Sequence, residues 1–168
     1  MRTLFSVWLM SASLGFATAA AAIGSPADDG KLLALLHAAH QSALAAADLA
    51  LTHANREDIK RYARQLREGH GAADQAVQSA ASRLGLTLPP PLSDDPTAEA
   101  VQELQAAGPG AFDRAFLRVE VNGHARIISD LETARITIQD PAVRKLATVE
   151  LKALQVLETK ARALDAKL

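Results

Sequence analysis

Apolar residues recur at helical spacing along four long stretches of the chain, and in three of them a histidine takes a place in the apolar row. Between Ile59 and Leu84, the positions Ile59, Ala63, Leu66, His70, Ala73, Val77, Ala80 and Leu84 alternate steps of four and three. This is the seam of a helix that packs along its whole length. Leu117, Val121, His124, Ile128 and Leu131 repeat the alternation, and Leu33, Leu36, His40, Ala43 and Ala47 form a looser version. The pattern predicts helices over about 31–54, 57–84, 111–137 and 140–166. Local punctuation agrees with those bounds. Asn55-Arg56-Glu57-Asp58 offers turn and cap residues, Gly85 a helix stop, and Asp140-Pro141 an N-cap followed by a first-turn proline.

The connection over residues 85–108 has a different character. Pro89, Pro90 and Pro91 cannot continue a helix and favour an extended path. Thr97 to Ala107 can form a short extra helix before Gly108-Pro109-Gly110 breaks it. Four long helices with two short connections and one long one predict an all-α fold, a four-helix bundle. The long connection can cross the length of the bundle, the single-crossover order of ferritin-like folds. An up-down-up-down order with a capping helix is the alternative.

Composition narrows the picture without changing it. Hydrophobic residues make up 49% of the 168 and aromatics only 4%, so the core is built of Leu, Ile, Val and Ala. The 18 basic and 19 acidic residues are interspersed, with no basic patch that would favour nucleic acid.

Residues 1–22 read as an export signal. Arg2 gives the positive start, Leu4 to Phe16 the apolar region, and Ala17-Thr18-Ala19 a small-residue cleavage site, with cleavage expected within Ala19–Ala22. An uncleaved anchor extending to Ile23 is the alternative. A polar spacer, 23–30, would follow. The chain has no cysteine, hence neither a lipid-attachment site of that type nor a disulfide. A periplasmic or other extracytoplasmic destination follows, with no transmembrane span after cleavage.

The histidines fall at matching depths. His70 and His124 each lie about midway along their predicted helices. His40 is 15 residues before Asn55 and His70 is 15 after it, so an antiparallel pair of helices sets them level. Glu150 can reach a neighbouring layer. Asp74 follows His70 by four and Glu120 precedes His124 by four, so each carboxylate can steady a ring as an outer partner. His70 and His124 are therefore the leading candidate metal ligands, with His40 and Glu150 weaker ones and Asp74 and Glu120 in support. His37 and His53 lie off the seams and are expected in solvent. A divalent ion (Fe, Zn, Cu or Mn) is the cofactor such a set would take. The Glu-x-x-His pairs of di-iron bundles are absent, and so are a cysteine nucleophile, a G-x-S-x-G elbow, a phosphate loop and an H-E-x-x-H helix. No catalytic residue is nominated.

The run Lys60-Arg61-Tyr62-Ala63, then His70, then Gly85-Leu86-Thr87-Leu88-Pro89 resembles the exported bacterial domain-of-unknown-function 4142 family. Gly110-Ala111-Phe112-Asp113-Arg114-Ala115-Phe116 followed by His124 does too, and Pro141 to Leu164 fits the last helix. The resemblance implies a ferritin-like bundle in secreted or envelope proteins often labelled predicted outer membrane proteins. His70 and His124 match its two recurrent histidines. Gly69 and Gly123 stand where it usually has acids, Ala43 where it often has a glutamate, and Leu157 where it often has a histidine. Those departures imply a reduced polar core. The expectation is a non-enzymatic, envelope- or stress-associated binding protein, with self-association or an envelope partner in view. The alternative is a metal-binding protein for storage or redox chemistry with a reduced site at mid-bundle.

Overall fold

The computed structural model describes residues 26–90 and 96–168, which form five α-helices and no strand. They are α1 (Pro26–His53), α2 (Glu57–Arg83), α3 (Pro96–Ala106), α4 (Phe112–Ala134) and α5 (Pro141–Asp165). The signal segment 1–22 lies outside the described residues. No described helix is long and apolar enough to cross a membrane.

Part of the expected polar spacer is helix. α1 starts at Pro26, whose fixed φ suits a first turn, and Asp28 and Asp29 complement the positive helix end. Asp29 is buried and accepts hydrogen bonds from the backbone N–H groups of Gln139 (3.0 Å) and Asp140 (2.9 Å). The start of α1 is thus tied to the α4–α5 corner. α2 ends as its glycine suggests: Gly85 adopts φ 68°, and the N–H groups of Gly85 and Leu86 reach back to the carbonyls of Ser82 and Ala81. Asp140 caps α5 by accepting from the N–H groups of Ala142 (2.8 Å) and Val143 (3.0 Å). Its carboxylate also takes both ends of the Arg83 guanidinium, which joins the end of α2 to the start of α5.

The opposite end is closed by Asp113. It accepts from the N–H groups of Asn55 (2.9 Å) and Arg56 (3.2 Å), and Arg56 also donates to the Lys167 carbonyl (2.9 Å). These ties fix the directions. α1 ends, α2 begins, α4 begins and α5 ends at one pole; the reverse holds at the other. α1 packs on α2 and α4, and α5 packs on α2 and α4 or runs beside them as neighbours, each such pair antiparallel. α2 and α4 therefore point the same way. The chain between Gly85 and Ala111 must travel from pole to pole, about 40 Å for a helix the length of α2. α3, on that route, packs against α1 and α4.

Two apolar clusters fill the interior. One, at the Asp113 pole, gathers Ile59, Tyr62, Leu66, Phe112, Phe116 and Leu117 with alanines of α1. The other, at the Asp140 pole, gathers Leu33, Leu36, Val77, Ile127, Leu131 and Val143. Between them lies a layer of buried polar side chains: His40, His70, His124, Glu120 and Glu150.

The seams are rotated slightly from the expected ones. In α2, Asp74 rather than Ala73 is buried; in α4, Glu120 and Ile127 are buried while Val121 and Ile128 are only half-buried. A straight helix turns every 3.6 residues, so a strict 3.5-residue row drifts off the contact line. The drift here brings an acid inward on each helix.

Candidate metal centre

His70 stands at the middle of the layer with a histidine on each side. Its Nδ1 lies 3.0 Å from His40 Nδ1, and its Nε2 lies 3.3 Å from His124 Nε2. The His70 and His124 rings stack, with centroids 5.5 Å apart and planes 10° apart. Carboxyl groups flank the row: Glu120 Oε2 is 3.6 Å from His124 Nε2, and Glu150 Oε2 is 3.7 Å from His40 Nε2.

Burial determines the protonation of this row. Loss of water pushes His40, His70 and His124 down to about 4, 3 and 4, and the neighbouring rings depress His70 further. The same loss pushes Glu120 up to about 8 and Glu150 up to about 6. At neutral pH, Glu120 is thus protonated beside an uncharged His124. Their 3.6 Å contact is not an ion pair, although its length would allow one.

Neutral rings can link up in only two ways, because each imidazole has one N–H. If His70 donates from Nδ1 to His40, it must accept from His124 at Nε2. His40 then carries its proton on Nε2 and His124 has a bare Nδ1. If His70 donates from Nε2, every role reverses. In both cases the two end atoms, His40 Nε2 and His124 Nδ1, are buried without a hydrogen-bond partner. Such atoms are costly in an apolar interior. They are the part of the layer that the protein alone does not satisfy.

Of the sequence-derived candidates, the fold brings His70, His124 and Glu120 together most closely. One potential ligand atom from each lies within 4.8 Å of the others, and all three residues are buried. Glu120, expected only to steady His124, stands with the candidate ligands themselves. His40 joins through His70, and Glu150 joins through His40.

Asp74 does not do what its spacing from His70 suggests. It accepts from Gln41 (2.7 Å) and Gln78 (2.7 Å) and contacts His37 Nδ1 at 2.6 Å. His37 is correspondingly not in solvent; its side chain is only 15% exposed. Counting outward from Asn55 could have found this pair, since His37 lies 18 residues before it and Asp74 lies 19 after. His53 is exposed, with its ring against Phe112. The polar layer holds three histidines and two carboxyl groups.

A cavity of about 230 Å³ opens beside the layer. His40, His70, His124 and Glu120 line it together with alanines of α1 and α3.

The match to the family described as "Domain of unknown function (DUF4142)" runs over residues 15–164. The chain belongs to the DUF4142 family. This DUF4142 chain is also similar in fold to a solved DUF305 fragment from Deinococcus radiodurans. The two are 15% identical, the match covers 86% of this chain and 99% of that one, and the TM-score is 0.73. CopM in its Cu(I)-bound form is 19% identical over 80% of this chain and 93% of that chain, with a TM-score of 0.69. CopM in its Cu(II)-bound form is 16% identical over 83% and 96%, with a TM-score of 0.71. At these identities the likeness is one of fold, a helical bundle. No curated protein sequence matches the DUF4142 chain significantly.

Proposed function

We propose that this DUF4142 protein is an exported, ferritin-like four-helix bundle that binds a transition-metal ion at mid-bundle, through His70, His124 and Glu120. The observation that carries the reading is the convergence of two imidazole nitrogens and a carboxyl oxygen in one buried layer, all within 4.8 Å. The shared direction of α2 and α4 supports the ferritin-like order. The n-region, apolar stretch and alanine cleavage site at residues 1–22 support export.

The donor chemistry favours particular ions. Two imidazoles and a carboxylate suit Cu(II), Zn(II) or Fe(II), and copper(II) is bound most tightly among divalent first-row ions. The chain's two methionines, Met1 and Met10, both fall in the export signal, and it has no cysteine. The mature protein therefore has no soft sulfur ligand of the kind that favours Cu(I). The fold shared with CopM, solved with Cu(I) and with Cu(II), makes copper the first ion to test. A bound ion would supply Lewis acidity or, as copper or iron, a redox centre. The residues' own part is to hold it dry, with His40 buttressing His70 from behind and Glu120 surrendering its proton. We read the role as binding, not turnover.

A second reading has its own observation. The His40–His70–His124 row links up through neutral rings without an ion, as a structural polar core would. Metal analysis of protein exported under its own leader and purified without chelator or affinity tag separates the two. The metal-binding reading expects one ion per chain, lost in His70→Ala and His124→Ala. Metal-free protein whose melting temperature does not move on adding Cu, Zn, Fe or Mn would leave the structural core as the answer.

A further inference from the structure

The cavity beside the histidine row has one lightly held wall. His40 of α1 and Glu120 and His124 of α4 border it, so it lies in the groove between those two helices. His70 of α2 and Leu154 of α5 reach it from the far side of the bundle. The outward side is spanned by α3, which packs against both α1 and α4 and lines the space with Ala100. With α3 in place, His40, His70, His124 and Glu120 are each no more than 4% exposed, although they border a cavity of about 230 Å³.

The ties of α3 are few and lie towards one end. Among its described residues only Leu104 is buried, in the apolar cluster at the Asp113 pole, whereas α2 buries nine. Glu103 pairs with Arg118 of α4, but both side chains are exposed and such pairs add little. Just past the helix, the Asn55 side-chain amide donates to the Pro109 carbonyl (2.7 Å). These ties all lie C-terminal to Ala100, the residue that lines the cavity. Around it, Val101 is half-buried and Glu99 and Gln102 are exposed. A helix of 11 residues is too short to be stable by itself, so α3 holds its shape only by docking. Segments with few buried apolar contacts open at a lower free energy than the core around them.

We propose that α3 is a lid over the histidine row. It lifts from its Ala100 end about the anchor at Leu104 while the four long helices stay folded, and its opening is the route by which a metal ion reaches His70, His124 and Glu120. What enters rests on the metal reading; the lifting itself does not.

The test first uses metal-free protein. Hydrogen exchange followed by NMR reads the opening of each helix, and diethyl pyrocarbonate, which acylates accessible imidazoles, reads access to the row. The amides of α3 are expected to exchange faster than the core amides of α2 and α4. Gln102→Gly weakens α3 at an exposed position and touches none of the long helices. It is expected to speed both α3 exchange and the acylation of His70 and His124 about threefold. Exchange in α2 and α4, and acylation of the exposed His53, should stay as they are. Leu104→Ala removes the anchor and should speed both readouts at least about tenfold. If that variant fails to fold, the surface variant still decides. The lid is overturned if α3 amides exchange only at the rate of global unfolding, or if acylation of His70 and His124 ignores Gln102→Gly. Cu(II) uptake is then timed in the same proteins, and it should accelerate in Gln102→Gly by the same factor. Uptake at an unchanged rate would overturn the lid as the ion's route. Wild-type protein that takes up no ion would refute the metal reading, with the lid still judged by exchange and acylation.

Discussion

His40 Nδ1 and His70 Nδ1 lie 3.0 Å apart, so two helices that leave the Asn55 corner together meet again ring to ring at mid-bundle. Removing either ring strands its neighbour. His70→Ala is expected to cost about 2–4 kcal/mol, through the space left and the nitrogens of His40 and His124 left without partners. His70→Leu fills more of that space and should cost less. Urea denaturation of the metal-free variants measures both, and equal losses would show that packing around the ring is not what matters.

The stability of the metal-free protein should peak near pH 6.5. Burial lowers the three histidines, so the unfolded chain binds their protons more readily, and stability is lost as pH falls from about 6.5 towards 4. Glu120 and Glu150 are shifted the opposite way. The folded state holds their protons, and that contribution is lost as pH rises, through about 6 for Glu150 and about 8 for Glu120. Below pH 6.5 the histidines outnumber the carboxyls; above it, Glu120 governs. Unfolding midpoints between pH 4 and 9 read this directly, and Glu120→Gln should flatten the alkaline limb. A midpoint that climbs steadily to pH 9 would contradict this assignment.

Loading an ion at His70, His124 and Glu120 should release about one proton at pH 7, because Glu120 must ionise to bind. Affinity should therefore climb with pH until about 8. Calorimetry in buffers of different ionisation enthalpy counts the protons. Glu120→Gln should weaken binding and abolish the release; proton release unchanged by that substitution would rule out Glu120 as a ligand.

Gly69 and Gly123 lie within α2 and α4 where an added Cβ meets nothing within 4 Å. Alanine at either should stabilise the fold by about 1 kcal/mol. A loss of stability would mean that the backbone there has a role in the native state that its surroundings do not reveal.

Asp113→Ala should cost about 1–2 kcal/mol by exposing the Asn55 and Arg56 N–H groups at the start of α2. Asparagine keeps an acceptor and should recover part of it. Thermal melts of the two variants check the order.

The helices and their level matching were legible because spacing along one helix and distance from one corner are both countable. His40, His70 and His124 emerged from that counting. The carboxyl groups were harder. Glu120 falls beside His70 and His124, and Asp74 beside His37, because partners are settled by which face a drifting helix turns inward, and strict four-three counting hides that drift. Asp29 and Asp113 were invisible for another reason. Each serves backbone N–H groups more than 50 residues away in sequence, across a pole that no local pattern describes.

The polar layer between the two apolar clusters also acts as an index mark. Alanine-lined helices offer smooth surfaces on which a slip of one turn, about 5.4 Å, would cost little in packing. Here such a slip would push His70 in among the leucines or phenylalanines of one cluster and leave His40 and His124 facing apolar side chains. Only one vertical alignment of α1, α2 and α4 keeps every ring beside another, so the histidines set the register of those three helices whether or not an ion is bound.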